Sequence, residues 1–124
     1  MNNLNQLSKE CHKYSRTKGF WDGPTNIGEK LMLIVSEVSE ALEADRKGRK
    51  ADLQKFNARE EDKEEFHFES DFQQTIKDTF EDEIADVFIR LFDLCGGLGI
   101  DIERHIELKI KYNQTRPYKH GKKY

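Results

Sequence analysis

Two stretches, LMLIVSEVSEALEADR at residues 31–46 and FEDEIADVFIRLFDLC at 80–95, decide how this chain folds. In each, apolar residues recur every three or four positions, the period of an amphipathic helix. Each stripe also contains acids. At roughly 100° per residue Glu37 falls between Leu33 and Ala41 and close to Ile34, while Glu40 lies about 60° away on the edge of that arc. In the later stretch Glu83 has Phe80 and Val87 on its flank, and Asp86 takes the corresponding edge position.

An ionised carboxylate turned toward a core loses hydration at a cost of several kcal/mol unless a counter-charge replaces the water. Arg90 is the only obvious base on these faces. Four converging acids would also raise one another's pKa unless a cation sits between them. A hard divalent ion such as Mg²⁺, which takes oxygen ligands and keeps positions for water and phosphate, suits Glu37, Glu40, Glu83 and Asp86, with Mn²⁺ as a substitute. Taken singly, E-x-x-E or E-x-x-D is weak in so charged a chain and reads equally as solvated surface acids. Paired on two apolar faces, the acids favour the metal.

Outward from these stretches the punctuation is helical throughout, so the expected class is all-α. Leu4, Leu7, Cys11 and Tyr14 predict a first helix over about residues 2–17, with Gly19 as its stop. KGFWDGPT at 18–25 reads as a loop, and Asn26-x-x-Glu29 has the form of a capping box that opens the second helix, which ends near Gly48. Residues 48–70 contain an unbroken charged run, 59–65, and read as a solvated insertion whose far end is fastened to the core by Phe66, Phe68 and Phe72. The third helix is expected to begin between Asp71 and Thr79 and to stop at Gly96, Gly97 and Gly99. Asp101 then caps a fourth helix that Pro117 closes, and 117–124 form a basic tail. The predicted architecture is an antiparallel four-helix bundle, a single domain over 1–124, with the acidic pairs facing each other across a cleft.

Of the 124 residues 36% are charged and 35% hydrophobic, and the net charge of −3 gives no global attraction to nucleic-acid polymers or anionic membranes. No apolar run approaches the length of a membrane span, and the start of the chain has no leader-like pattern, which points to a cytoplasmic protein. Cys11 and Cys95 form no C-x-x-C pair and read as small core residues. A di-iron carboxylate site would need two Glu-x-x-His motifs, and only Glu64-x-x-His67 occurs.

SEVSEALEADRKG followed by FEDEIADVFIRLFDLCGGLGID resembles the MazG-like, all-α nucleoside triphosphate pyrophosphohydrolases, whose pattern is E-x-x-E on one helix and E-x-x-D on the next. KIKYNQTRPYKHGKKY continues the similarity, with Lys109, Asn113 and Arg116 matching K-x-x-x-N-x-x-R, and GFWD resembles the aromatic segment before the first acidic helix. The charged stretch at 48–70 departs from the shortest members. The resemblance implies cleavage of a nucleoside triphosphate between its α and β phosphates, giving a monophosphate and pyrophosphate. It implies Glu37, Glu83 and Asp86 mainly as metal ligands and Glu40 as a ligand that also serves as general base.

Spacing puts Lys109, Asn113 and Arg116 on one side of the fourth helix or its exit, suited to phosphate and sugar oxygens or, equally, a solvated basic face. Trp21 reads as a base-stacking platform or as an apolar plug over the bundle end. His12 reads as a further nucleotide contact or an ordinary exposed histidine. Because each chain has little apolar material and relatives assemble, a homodimer or homotetramer is expected. The rival reading is a non-enzymatic helical module whose acids bind a regulatory cation or a nucleotide.

Overall fold

The computed structural model describes residues 3–124 and, among them, contains six α-helices and no strand. They are α1 (Leu4–Thr17), α2 (Ile27–Arg46), α3 (Leu53–Glu60), α4 (Phe68–Thr75), α5 (Phe80–Leu98) and α6 (Ile102–Gln114). The all-α class expected from the sequence is observed. Residues 25–91 make one compact unit, and residues 3–24 with 92–124 make a second. Helix α5 begins in the first and ends in the second.

In the first unit α2 opens as its capping box predicts: Asn26 Oδ1 accepts from the Glu29 amide at 3.0 Å, satisfying a donor that the first turn leaves without a helical partner. The helix buries Ile34, Ala41 and Ala44. Its other apolar residues do not follow: Ile27, Leu31, Val35, Val38 and Leu42 remain between 47% and 53% exposed. Their spacing of four, four, three and four is that of a helix–helix seam.

The stretch expected as a solvated insertion is mostly exposed but ordered into helices, α3 and the start of α4, with four phenylalanines in mutual contact. Phe56 is buried, and its ring meets those of Phe66 and Phe68 nearly edge-on at centroid distances of 5.7 and 6.1 Å. Phe72 stacks on Phe68 at 5.8 Å. Arg59 donates to Asp71 at 2.9 Å and to Gln74 at 2.8 Å, so one member of the charged run ties α3 to α4. Asp52 caps α3 through the Lys55 amide, and its own N–H donates to the Thr75 carbonyl. The third predicted helix therefore begins later than expected, at Phe80. Before it the backbone turns through Asp78 at φ 62°, and Thr79 Oγ1 accepts from the Asp82 amide.

In the second unit α1 and α6 are joined at their N-termini. The Leu4 amide donates to Glu103 Oε1, the Glu103 amide donates to Asn5 Oδ1, and Asn5 Nδ2 donates to Asp101 Oδ1. Asp101 caps α6 through the Arg104 amide, as predicted. The expected stop at Gly96 and Gly97 is corrected: both lie inside α5, and the left-handed turn comes at Gly99, φ 67°. A Cβ on Gly96 would lie 2.4 Å from the Ser8 carbonyl oxygen, so the glycine is needed for α1 to lie against α5. Cys95 is buried and Cys11 half-buried, and burial raises both thiols above their ordinary pKa of 9.0. The basic tail includes one 3₁₀ turn, Tyr118–Gly121.

Candidate functional site

The first unit brings three of the four acids together. Glu37 on α2 and Glu83 and Asp86 on α5 each offer a carboxylate oxygen, all within 4.8 Å of one another. Periodicity explains the placement: each acid interrupts an apolar stripe, so the packing that orders the stripe also orders the carboxylate. Glu83 is only 8% exposed, less than many of the leucines and valines around it. Burial pushes its carboxyl above the ordinary value near 4.5, and the charges of Asp86, Glu40, Asp82 and Glu37 act in the same direction. Asp86 is also raised, first by burial and then by Glu37 and Asp82, while Arg90 pulls it partly back.

Arg90 pairs with this group, its Nε donating to Glu37 Oε1 at 2.8 Å. Three acids against one guanidinium leave negative charge in a desolvated place, which favours a proton or a cation. The donor set consists of oxygens alone, the chemistry of a hard divalent ion such as Mg²⁺. Glu37, Glu83 and Asp86 are therefore the residues that fit such an ion. Glu40 stands apart from the trio: it is exposed on α2, although its charge still acts on Glu83. Asp78 and Asp82 make a second acidic group that shares Glu83.

The second unit brings together His12 and Trp21, and adds a residue that sequence reasoning missed. Asp93 Oδ1 lies 3.0 Å from His12 Nδ1 and accepts from Trp21 Nε1 at 2.8 Å. The two rings meet edge-on with centroids 4.6 Å apart. A Cβ on Gly97 would fall 2.3 Å from Trp21 Cη2 and 3.0 Å from His12 Cε1, so this glycine gives the indole its seat. Asp93, Gly96 and Gly97 fall on one side of α5 at i, i+3 and i+4. The D-x-x-G-G spacing is the signal that was available, had the glycines been read as helical. Trp21 also lines an open depression of about 500 Å³ with Lys13, Arg16, Thr17 and Asp22.

Lys109 and Asn113 lie on α6 and Arg116 just beyond it. Lys109 Nζ and the Arg116 guanidinium lie 5.3 and 5.9 Å from the centroid of the Tyr112 ring, which gives the two cations a common aromatic support. The Asn113 side-chain oxygen is buried without a hydrogen-bond partner among the described residues. Among the described residues no helix is long and apolar enough to cross a membrane. No protein-family model, curated protein or solved structure matches the chain.

Proposed function

We propose that this protein is a Mg²⁺-dependent nucleoside triphosphate pyrophosphohydrolase of MazG-like type, which cleaves a ribo- or deoxyribonucleoside triphosphate to the monophosphate and pyrophosphate and serves cytoplasmic nucleotide-pool cleaning. The observation that carries the reading is the convergence of Glu37, Glu83 and Asp86, three half-buried or buried acids within 4.8 Å of one another. Bound Mg²⁺ would neutralise phosphate charge and polarise the scissile phosphoryl group.

Glu37, Glu83 and Asp86 hold the cation, and Arg90 fixes the rotamer of Glu37. Glu40 stands outside the trio and, being exposed, is available to take a proton from an attacking water. Lys109 and Arg116 bind polyphosphate oxygens, and Asn113 lies between them in sequence, where its amide is the candidate for a sugar contact. Trp21 supplies a stacking surface for the base, with His12 beside it.

The finer architecture belongs to the same proposal: α1, α2, α5 and α6 as the four antiparallel helices of the bundle, with α3 and α4 carried between the second and third. The seam on α2, half-exposed over Ile27, Leu31, Val35, Val38 and Leu42, suits a second copy of the chain in a homodimer or homotetramer. Sedimentation at micromolar concentration is expected to show the assembled species; a lone monomer would overturn the assembly.

Incubation with a panel of ordinary and modified nucleoside triphosphates is expected to yield pyrophosphate only when Mg²⁺ or Mn²⁺ is present. Glu40→Gln should lower kcat by roughly 10²-fold or more while KM changes little. If the wild type releases no pyrophosphate from any nucleotide, the enzyme reading fails. The Glu37–Arg90 ion pair favours a second reading, since it already compensates one acid without a metal. In that reading the chain is a non-enzymatic helical module that binds a cation or a nucleotide, and the panel yields nothing while binding persists.

A further inference from the structure

We infer that Asp93 is a positioning residue for nucleotide recognition, holding His12 in one tautomer and Trp21 in one orientation so that the pair meets a base with a single hydrogen-bonding pattern. The assignment rests on the nucleotide reading proposed above for what the pocket binds, but on geometry alone for what Asp93 does. A single oxygen, Asp93 Oδ1, serves both rings, at 3.0 Å from His12 Nδ1 and 2.8 Å from Trp21 Nε1. The indole nitrogen only donates, and an ionised carboxylate only accepts. The imidazole therefore carries its proton on Nδ1, and in the neutral ring Nε2 is left with a lone pair. Among the described residues His12 Nε2 has no hydrogen-bond partner.

Two consequences for a ligand follow. Trp21 has given its N–H to Asp93, so it offers a base ring surface and no donor. His12 offers an acceptor, so the group it recognises is an N–H donor on the edge of a planar heterocycle, either a ring N–H or an exocyclic amino group. The arrangement is held from several sides: the side chains of His12 and Asp93 are 20% and 16% exposed, and the indole edge rests where Gly97 has no Cβ. A carboxylate that fixes a histidine's tautomer through Nδ1 is the same device found behind metal-binding and catalytic histidines.

The test compares the full-length wild type with Asp93→Asn and Asp93→Leu. The His12 imidazole of each is examined by ¹⁵N–¹H NMR at a pH where the ring is neutral, and kcat and KM are measured on the triphosphate that the wild type hydrolyses fastest. Wild type and D93N, which keeps a shared acceptor, are expected to show a protonated Nδ1 and an unprotonated Nε2, with KM values within about threefold of one another. D93L should show mixed or reversed tautomers and a KM raised by roughly 10- to 100-fold, with kcat changed far less.

A wild-type ring protonated on Nε2, or one that samples both tautomers, overturns the assignment. So does a folded D93L whose KM is unchanged on every nucleotide. If circular dichroism shows D93L unfolded, the tautomers of wild type and D93N decide the matter. If the wild type hydrolyses no nucleotide, the enzyme reading falls by itself, and the tautomer still confirms or overturns the role of Asp93.

Discussion

Glu83→Gln is expected to release pyrophosphate about 10³-fold less efficiently than the wild type and yet to unfold at a higher temperature than the wild type in chelator. Both effects arise from one environment. Glu83 is 8% exposed, and burial together with Asp86, Glu40, Asp82 and Glu37 raises its pKa above the ordinary 4.5. An acid whose folded pKa is raised binds more protons folded than unfolded over the interval between its two pKa values. Wild-type stability in chelator should therefore decline as pH rises from the ordinary values, 3.8 for Asp86 and 4.5 for Glu83, through the raised values of both.

Glutamine keeps the shape, removes the charge and flattens that decline, so at neutral pH the melting temperature should rise by a few degrees. Activity goes the other way. Loss of a ligand from the proposed cation site removes several kcal/mol, on the order of 10³-fold in kcat/KM. Calorimetry with and without Mg²⁺ separates the two: the ion should stabilise the wild type and leave the variant unmoved. A variant less stable than the wild type in chelator, or one equally stabilised by Mg²⁺, would remove Glu83 from the cation site.

Gly96→Ala is the other large change. In an ordinary helix interior alanine is better than glycine by roughly 0.5–1 kcal/mol. At Gly96 the new methyl would stand 2.4 Å from the Ser8 backbone oxygen and 3.0 Å from the carbonyl carbon, and neither atom belongs to a side chain that can rotate away. Relief requires α1 to slide along α5, which would disturb the 3.0 Å contact from His12 to Asp93. Overpacking of this kind costs roughly 2–3 kcal/mol, and a melting temperature lower by about 10 °C is the expected reading. Gly28→Ala in the first turn of α2 is the control. Its nearest contact would be 3.4 Å, to Asn26 Oδ1, so the ordinary preference for alanine should hold there. An unchanged melting temperature for G96A would mean that α1 has room to move.

The contrast between Glu83 and Asp93 shows what the sequence makes legible. Glu37, Glu83 and Asp86 could be picked out because each breaks a local apolar period that is visible within about two helical turns. The caps Asn26 and Asp101 were legible for the same reason, since a cap bonds to an amide three residues away. Asp93 was not, because its partners lie 81 and 72 residues earlier and nothing near it marks them. Gly96 and Gly97 were misread because a glycine pair more often ends a helix than admits a neighbour. In 48–70 the aromatic residues that order α3 and α4 are spread over two helices and a turn, so Phe56, Phe66, Phe68 and Phe72 share no single period. The charged run between them dominated the reading, although Arg59 within it is bonded to Asp71.

The two raised thiols give the second unit an internal clock. A thiol attacks an alkylating reagent only as thiolate and only where the reagent can reach it, so burial suppresses Cys95 twice over, and Cys11 is further held neutral by the charges of Asp93 and Glu10. Modification of Cys95 must then wait for α1 to part from the end of α5. The labelling rate of Cys95, read separately from that of half-buried Cys11, thus counts those partings without denaturant and without any knowledge of substrate.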